Sequence, residues 1–318
     1  MPMKNLLCLL LALGLPAALP VLANPPTTIA LPAGPAYPNG IAVAPDGTIF
    51  TGFVTSGRIV RKRPGQDWDT FFAGSDAIYA ATSLRLDAGR KLLWGTSPDF
   101  LTEGRAPRPN RLFALDADTG AIRRLVDFPA QSFANDTAIE PDGAVLVTDS
   151  FVGRVLRLRP GAARFEVAAM HPDLAPPPGG VGVAGIARAP DGRLVLSNFG
   201  TGKLYAIGRD GTVQPIHLPR LLANPDGLAF APDGALLICE GDIAGGDGRV
   251  LRIAAPFAPS ERPIQTLAAG LESPVNLSLA PNGELLVTEA RIRHRLVKAG
   301  DLPAPASFRI MRLAPGPG

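Results

Sequence analysis

The chain of 318 residues contains few cysteines and few aromatic residues. Its two cysteines are Cys8 and Cys239. Because we expect the segment around Cys8 to be removed, no intramolecular disulfide can form in the mature chain. Aromatic residues make up only 6% of the chain, but hydrophobic residues make up 46%. That composition excludes a disordered protein and predicts a globular one held together by its hydrophobic core.

The chain also lacks a strong charge bias and any long stretch of helical periodicity. Its formal net charge is +3, and basic residues such as Arg58 and Arg61 are scattered at predicted strand ends without interleaved aromatic residues. This distribution is typical of a solvated surface, so we expect no nucleic-acid partner.

The first 23 residues resemble a secretory signal peptide. They combine a positively charged start, an apolar stretch and a small-residue cleavage pattern that ends at Ala23. Pro16 and Pro20 interrupt the apolar stretch, which is therefore too short to span about 30 Å of hydrocarbon. We predict a cleaved signal over 1–23 and one mature domain over 24–318. The mature protein is expected in the periplasm or outside the cell, with no membrane span.

One template recurs six times along the mature chain: an apolar strand, a Pro-Asp-Gly turn, a second apolar strand, a glycine-containing loop and a third strand. The first strand and turn read IAVAPDG (41–47), SLRLDAGRK (83–91, degenerate), TAIEPDG (137–143), IARAPDG (186–192), LAFAPDG (228–234) and LSLAPNG (277–283). Proline fixes φ, aspartate binds its own turn backbone and glycine accepts positive φ, so each turn closes a hairpin. A repeat of about 40–50 residues with four strands is typical of a propeller blade.

The two ends of the chain predict how the ring closes. Five repeats are followed by a fourth, outer strand, whereas the sixth ends after FRIMRLAPG. The segment TTIALPAG (27–34) has the pattern of the missing outer strand. We therefore predict an all-β, six-bladed β-propeller with four antiparallel strands per blade, in which the N-terminal strand completes the last blade. Such closure removes an exposed sheet edge.

Three long loops are predicted on one face, which we call the top face. Loops 97–110 and 290–307 join the second and third strands of their blades, and 173–185 leads into blade four. Long loops above a pore indicate either a binding site or variable surface decoration.

Polar residues stand where the innermost strands begin, at the top mouth of the pore. The six aligned positions are Asn39, Thr82, Asn135, Ala184, Asp226 and Val275. Oxygen ligands from Asn and Asp suit Ca²⁺, which takes six to eight of them; alternatively, these residues cap the loop–strand junctions. Acids at or just after the ends of second strands on the same face are either additional ligands or turn-capping residues: Asp149, Glu240, Asp242 and Glu289.

In blade number and order, the whole chain resembles the senescence marker protein 30 (SMP-30)/gluconolactonase family. That resemblance implies a divalent cation in the pore, commonly Ca²⁺, and hydrolysis of lactones or related esters. Asn135-Asp136 looks like the family's Asn-Asp pair, whose Asn faces the substrate. Asp226, within Pro-Asp-Gly, looks like a metal ligand and the proposed acid/base residue. The chain departs from the family at two ligand positions, where Asn39 replaces a Glu and Ala184 replaces an Asn.

These features predict an exported lactone or ester hydrolase that depends on a divalent cation, Ca²⁺, and acts as a monomer on a small molecule. Asp226 is the predicted catalytic residue, Asp226, Asn39 and Asn135 are the predicted metal ligands, and Asn135, Thr82 and His294 are predicted to contact the substrate. His294 is alternatively an exposed loop residue. Two other functions stay open: a non-catalytic binding propeller that has lost metal ligands, and a lyase of the streptogramin-opening kind.

Overall fold

The computed structural model describes residues 25–34, 37–101, 106–296 and 302–314, which form six four-stranded antiparallel sheets. The predicted signal peptide, 1–23, lies outside the described residues. Neighbouring innermost strands contact one another in a closed circle, so the sheets are the blades of a propeller. The predicted six-bladed fold is confirmed.

The strands follow one another in regular order within each blade, from the axis to the rim. The N-terminal strand is β1 (Thr27–Ala30). Blade one contains β2 (Pro38–Val43), β3 (Ile49–Phe53), β4 (Ile59–Lys62) and β5 (Trp68–Phe72). Blade two contains β6 (Thr82–Asp87), β7 (Leu92–Ser97), β8 (Arg111–Asp116) and β9 (Ile122–Asp127). Blade three contains β10 (Ala134–Ile139), β11 (Val145–Asp149), β12 (Arg154–Leu158) and β13 (Glu166–Met170).

The second half of the ring repeats this order. Blade four contains β14 (Val183–Arg188), β15 (Leu194–Asn198), β16 (Lys203–Ile207) and β17 (Val213–Ile216). Blade five contains β18 (Pro225–Phe230), β19 (Leu236–Glu240), β20 (Gly248–Ile253) and β21 (Gln265–Leu271). Blade six contains β22 (Pro274–Leu279), β23 (Leu285–Glu289) and β24 (Arg309–Leu313).

Helical structure is confined to two short segments of the described chain. They are a 3₁₀ turn at Pro172–Leu174 and helix α1 (Arg293–Leu296). Neither segment, nor any other helix among the described residues, has the length and apolar content needed to cross a membrane.

Strand β1 closes the ring, as the sequence predicts. It pairs antiparallel with β24, from Thr27 opposite Arg312 to Ala30 opposite Arg309. The connection continues beyond the strand, since the Leu31 backbone N–H donates to the Phe308 carbonyl at 3.0 Å. The last blade is therefore built from both ends of the chain, and its outer edge is paired.

The Pro-Asp-Gly turns have the predicted hairpin geometry. In the first of them, Gly47 has a φ of 85° and Asp46 Oδ1 accepts a hydrogen bond from the Thr48 backbone N–H at 2.9 Å. Aspartates at three equivalent turns accept the same bond, as does the asparagine of the sixth blade: Asp142, Asp191, Asp233 and Asn282. Local turn chemistry therefore sets the ends of the first two strands in these five blades.

The hydrophobic core is divided into six clusters, one between each pair of adjacent blades. Strand β19 shows the reason. Leu236 and Ile238 face blade four, whereas Leu237 and Cys239 face blade six. Successive residues of a strand point to opposite faces, so a blade packed on both sides needs apolar residues at nearly every position. Cys239 is buried, as predicted for a small core residue.

Candidate functional site

The six aligned pore residues lie where each innermost strand is irregular. The register shifts between Pro38 and Ile41 in blade one and between Pro225 and Leu228 in blade five, and the other four blades shift at the equivalent place. Such irregularities turn a side chain away from its regular direction. We call these six residues the mouth ring: Asn39, Thr82, Asn135, Ala184, Asp226 and Val275.

Hydroxyl groups of the preceding blade hold four of the mouth-ring carbonyls. Each hydroxyl belongs to the second strand of that blade, near its end. The four bonds are Thr96 Oγ1 to Asn135 O (2.7 Å), Thr148 Oγ1 to Ala184 O (2.5 Å), Ser197 Oγ to Asp226 O (3.0 Å) and Thr288 Oγ1 to Asn39 O (2.8 Å). These bonds satisfy carbonyls that the irregular ladder leaves unpaired. The two remaining blades have Gly52 and Cys239 at the equivalent position.

Asn39, Asn135 and Asp226 are half-buried at the mouth and keep free polar atoms. The Asn135 amide donates through Nδ2 to Ser150 Oγ at 3.0 Å, and Ser150 Oγ donates to the Val183 carbonyl at 2.6 Å. This relay fixes the amide and leaves Asn135 Oδ1 without a donor among the described residues. Among the described residues, none forms a hydrogen bond with the side-chain carboxyl of Asp226 or with the side-chain amide of Asn39. The three side chains therefore offer unused oxygen atoms.

The environment of Asp226 favours its protonated form. Desolvation inside the pore raises the pKa of Asp226 well above its usual value, and repulsion from Asp136 raises it further. The guanidinium of Arg85 acts in the opposite direction but does not cancel the rise. A carboxyl group with a raised pKa holds or takes up a proton nearer to neutral pH, which suits acid–base chemistry.

Arg85 bridges the pore below the mouth, a feature that the sequence analysis missed. Its Nη2 donates to both carboxylate oxygens of Asp136, at 2.9 and 3.1 Å, and its Nη1 donates to Asn276 Oδ1 at 3.2 Å. Asp136 belongs to blade three and Asn276 to blade six, which lie on opposite sides of the ring. The guanidinium therefore crosses the axis. We call Arg85, Asp136 and Asn276 the axial brace.

Asp136 is buried almost completely, with 1% of its surface exposed. Besides Arg85, its carboxylate accepts hydrogen bonds from Ser83 Oγ at 2.5 Å and from the backbone N–H groups of Thr137 and Ile186 at 2.9 and 3.2 Å. A buried carboxylate with this many donors is fully satisfied. Asp136 is therefore a structural partner of Arg85 and is not available as a ligand.

A second chamber lies on the far side of the brace. Its volume is about 340 Å³, and Arg85 lines it together with apolar residues such as Val43, Leu86, Ile139 and Leu279. None of the mouth-ring residues lines this chamber. The pore thus has a polar upper mouth and an apolar lower chamber.

Three acids at the ends of second strands, considered above as further ligands, are anchors of the fold. Each is buried, pairs with an arginine and accepts a backbone N–H from the loop that leads into the innermost strand. The pairs are Asp149 with Arg154 (2.9 Å), Glu240 with Arg220 (2.5 Å), and Glu289 with Arg309. The loop donors are Phe133, Ala223 and Glu272. Asp242 caps its own turn, since it accepts hydrogen bonds from the Gly245 and Asp247 N–H groups.

The pKa of Glu240 illustrates this anchoring role. Burial alone raises the pKa of Glu240, but hydrogen bonds from Arg220 and from the Ala223 N–H outweigh that effect, so the pKa lies below its usual value. The carboxylate therefore stays ionised and bound to its arginine. The contacts of these four acids therefore support a structural and turn-capping role and not a role as additional metal ligands.

Thr82 and His294, the other two predicted substrate contacts, are engaged elsewhere. Thr82 is 3% exposed, and its hydroxyl lies 2.6 Å from Thr96 Oγ1. The two ring nitrogens of His294 lie 2.6 Å from the Pro303 carbonyl and 3.3 Å from Glu272 Oε1. Both ring nitrogens therefore face partners within the fold. No hydrogen bond or ion pair joins His294 to Asp226 among the described residues.

The donor set at the mouth is small for a metal site. Within the described residues, no group of three or more His, Cys, Asp or Glu side chains is arranged to hold a metal ion. The mouth ring provides one carboxylate, from Asp226, and the amide oxygens of Asn39 and Asn135. These are hard oxygen donors of the kind that Ca²⁺ accepts, but they carry at most one negative charge.

Comparison with known proteins identifies relatives of the fold. Residues 26–62, which include β1 to β4, match the family model described as strictosidine synthase-like, N-terminal. A search of curated proteins returns no significant sequence match. Many solved structures are similar over most of the chain.

Three of these structures illustrate the range of activities described for proteins with this fold. A putative oxidoreductase (glucose dehydrogenase) from Thermus thermophilus has a TM-score of 0.65 and 20% identity, over 91% of this chain and 99% of its own. A gluconolactonase from Xanthomonas campestris has a TM-score of 0.64 and 17% identity, over 91% and 90% of the two chains. A virginiamycin B lyase from Staphylococcus aureus, in an inactive His-to-Ala variant, has a TM-score of 0.61 and 15% identity, over 91% and 99%.

The likeness defines the class of protein, a propeller whose fold is shared by proteins with several different activities. Identities of 20% or less show a common fold and do not transfer an activity.

Proposed function

We propose that this protein is an exported hydrolase of lactones or related small esters, with Asp226 as the acid–base residue. One observation carries the proposal: Asp226 is a half-buried carboxyl group with a raised pKa and no hydrogen-bond partner among the described residues, in a ring with two amide side chains. The fold that the chain shares with a gluconolactonase is compatible with this activity.

The residues of the mouth ring suit the chemistry of lactone opening. The Asp226 carboxylate takes a proton from a water molecule, whose oxygen attacks the carbonyl carbon. The bond between that carbon and the ring oxygen then breaks, and the leaving oxygen receives the proton back from Asp226. The product is an open-chain hydroxy acid. A carboxylate with a raised pKa is a stronger base than an ordinary one, which favours the first transfer.

Asn135 and Asn39 are suited to bind the carbonyl oxygen. One Nδ2 hydrogen of Asn135 is used on Ser150, which leaves the second for the substrate. An amide donor held in advance stabilises the negative charge that develops on the carbonyl oxygen. The relay from Asn135 through Ser150 to the Val183 carbonyl provides that fixed orientation.

A divalent cation fits the mouth ring weakly. The Asp226 carboxylate and the Asn39 and Asn135 amide oxygens would hold it, with Ca²⁺ the preferred ion for oxygen ligands. Such an ion, when bound, supplies a Lewis acid for the carbonyl. With one negative charge in the donor set, we expect a dissociation constant on the order of 10⁻⁴ to 10⁻³ M.

Lactone hydrolysis with a pH indicator tests the proposal. The panel contains small sugar-derived and simple lactones, with and without Ca²⁺. We expect Asp226→Asn to lower kcat/KM by about 100-fold or more, the range for loss of an acid–base group. Asp242→Asn, a change of another acid on the same face, is the matched control and is expected to keep activity. Unchanged turnover in Asp226→Asn removes this residue from the mechanism.

Export is tested separately, by mass spectrometry of the protein recovered from the periplasm or medium. We expect a mature N-terminus at Asn24, directly after the predicted signal. A full-length chain that stays in the cytoplasm would contradict export without affecting the hydrolase proposal.

A binding protein without catalysis is the second candidate. The hydrophobic Ala184 and Val275 occupy two mouth-ring positions, which leaves Asp226 as the sole acid of the ring. If the wild type binds lactones or their hydroxy acids without turnover, with or without Ca²⁺, this candidate replaces the hydrolase.

A lyase is the less favoured alternative. The virginiamycin B lyase variant that resembles this chain is described as inactive after a His-to-Ala replacement. None of the six mouth-ring residues is histidine, and His294 contacts Pro303 and Glu272 instead.

A further inference from the structure

Three phenylalanine rings lie in a row on the top face. The ring of Phe100 lies 5.5 Å from that of Phe133, and Phe133 lies 5.1 Å from Phe151, measured between centroids. Both pairs are tilted, at distances typical of favourable aromatic contacts. Only 6% of the chain is aromatic, so a run of three touching rings is a concentrated feature. We call these residues the phenylalanine row.

The row begins beside the mouth ring. Phe133 precedes Asn135 by two residues, and its carbonyl accepts the Ser150 backbone N–H at 3.0 Å. Ser150 in turn accepts the Asn135 amide at 3.0 Å and is followed directly by Phe151. Two short segments, 133–135 and 150–151, therefore hold both the Asn135 amide and two of the three rings. We place a molecule bound at Asn135 beside these rings.

The row is open to solvent at its outer end. Phe151 is 49% exposed, whereas Phe133 and Phe100 are half-buried. Scattered exposed hydrophobic residues are common and need no explanation. Phe151 differs from exposed residues such as Val167 and Met170, which lie on β13 at the outer edge of the same blade, because it continues an aromatic surface that leads to the site.

We infer that the phenylalanine row binds an apolar group of the substrate, so that the site selects lactones with an aryl or alkyl substituent over polyhydroxylated sugar lactones. This inference rests on the proposed function. A flat apolar group stacks on aromatic rings and removes their surface from water. A sugar hydroxyl placed there loses its bonds to water and gains no partner from the phenyl rings, which is costly.

The test compares kcat/KM for a phenyl-substituted δ-lactone and for the unsubstituted δ-lactone. The wild type should prefer the phenyl compound. In Phe151→Ala, the loss on the phenyl compound should exceed the loss on the unsubstituted one by about tenfold, the size expected for one aromatic contact plus its buried area. Met170→Ala removes an exposed side chain from the same blade and should leave the preference intact. An unchanged preference in Phe151→Ala overturns the inference.

A binding measurement separates this inference from the proposed function. The probes are the matching lactams, with and without the phenyl group, titrated calorimetrically into the wild type, Asp226→Asn and Phe151→Ala. If the phenyl lactam binds more tightly than the unsubstituted lactam, and this difference depends on Phe151, the binding role of the phenylalanine row is supported. If the wild type also fails to hydrolyse lactones, the hydrolase function is refuted while the binding role stands. Hydrolysis without discrimination between substituents refutes the row alone. Sedimentation of a wild-type dimer that Phe151→Ala converts to monomers also overturns the inference, because the row would then be a contact between copies.

Discussion

Arg85 and Asp136 form an ion pair inside the pore, with Arg85 Nη2 at 2.9 and 3.1 Å from the two carboxylate oxygens. Asp226 is near enough for Asp136 to raise its pKa, but it has no cation of its own among the described residues. The two acids therefore occupy opposite environments: one is neutralised by a guanidinium, and the other is left to hold a proton or a ligand. Pairs of acids in unequal environments are typical of acid–base sites.

Removing the guanidinium of Arg85 should destabilise the fold and raise the pKa of Asp226. We expect Arg85→Met to lower the free energy of unfolding by about 3–5 kcal/mol, because Asp136 stays buried without its partner. The pKa of Asp226 should rise further, since Arg85 lowers it in the wild type. Urea unfolding measures the first effect, and the pH–rate profile measures the second.

The surface pair of Arg312 and Glu284, at 2.6 Å, is the control for Arg85→Met. Arg312→Met should cost less than about 1 kcal/mol, as for other partly exposed pairs. The double variant Arg85→Met with Asp136→Asn should recover part of the loss. Equal costs for Arg85→Met and Arg312→Met would contradict the structural role of the brace.

Asp226 should make stability depend on pH. Because the folded state raises the pKa of Asp226, the protonated carboxyl is favoured by folding, and its contribution is complete at acid pH. That contribution is lost as the pH rises from the ordinary aspartate range through the raised pKa. Asp226→Asn is neutral throughout, so its unfolding free energy minus that of the wild type should increase with pH. Urea unfolding at pH 4 and pH 8 measures this; an equal difference at both values would contradict it.

Calcium should stabilise the wild type through Asp226. A ligand that binds only the folded state adds about 0.4–1.4 kcal/mol at one to ten times its dissociation constant, which is the range that millimolar CaCl₂ reaches here. We expect the melting temperature to rise with millimolar CaCl₂, more at pH 8 than at pH 5, because the ion needs the ionised carboxylate. Asp226→Asn should lose the response, and Asp242→Asn should keep it. A response that survives in Asp226→Asn would assign the ion to another site.

The hydroxyl of Thr148 should contribute measurably to stability. Thr148→Val keeps the shape but removes the donor to the Ala184 carbonyl and the acceptor for the Asp136 N–H, both buried. We expect a loss of about 1–3 kcal/mol in urea unfolding, as for unsatisfied buried groups.

Cys239→Ser is the comparison for Thr148→Val, because it places a hydroxyl at the equivalent position of blade five. If the hydroxyl reaches the Val275 carbonyl, the change should cost less than Thr148→Val. A larger cost in Cys239→Ser would show that the two positions are not equivalent.

Much of the fold could be predicted because its signals are local. The turn at Asp46 and Gly47 needs only neighbouring residues, and the alternation in strands such as β19 follows from the geometry of an extended chain. Six copies of these signals, with a spare strand at Thr27–Ala30, were enough to predict the blade number and the closure.

The site was predicted less completely because its contacts join distant residues. Arg85 belongs to the degenerate copy of the repeat. The other five copies have Ala or Ser at the equivalent position, and this difference was visible in the sequence. Its partners, Asp136 and Asn276, are 51 and 191 residues away. The Thr and Ser near the ends of second strands were also visible, but their role depends on the carbonyl of the next blade.

The amino-acid sequence alone determined the six blades, their hairpin turns, the closing strand and the presence of Asn39, Asn135 and Asp226 at the mouth, because each follows from short-range chemistry repeated along the chain. Only the tertiary structure decided which acids are neutralised and which stays free. Asp136 meets Arg85 of the neighbouring blade, and Glu240 meets Arg220 of the loop that enters its blade, whereas Asp226 meets no arginine in the described chain. Pairing of that kind depends on distances in space that no local pattern encodes.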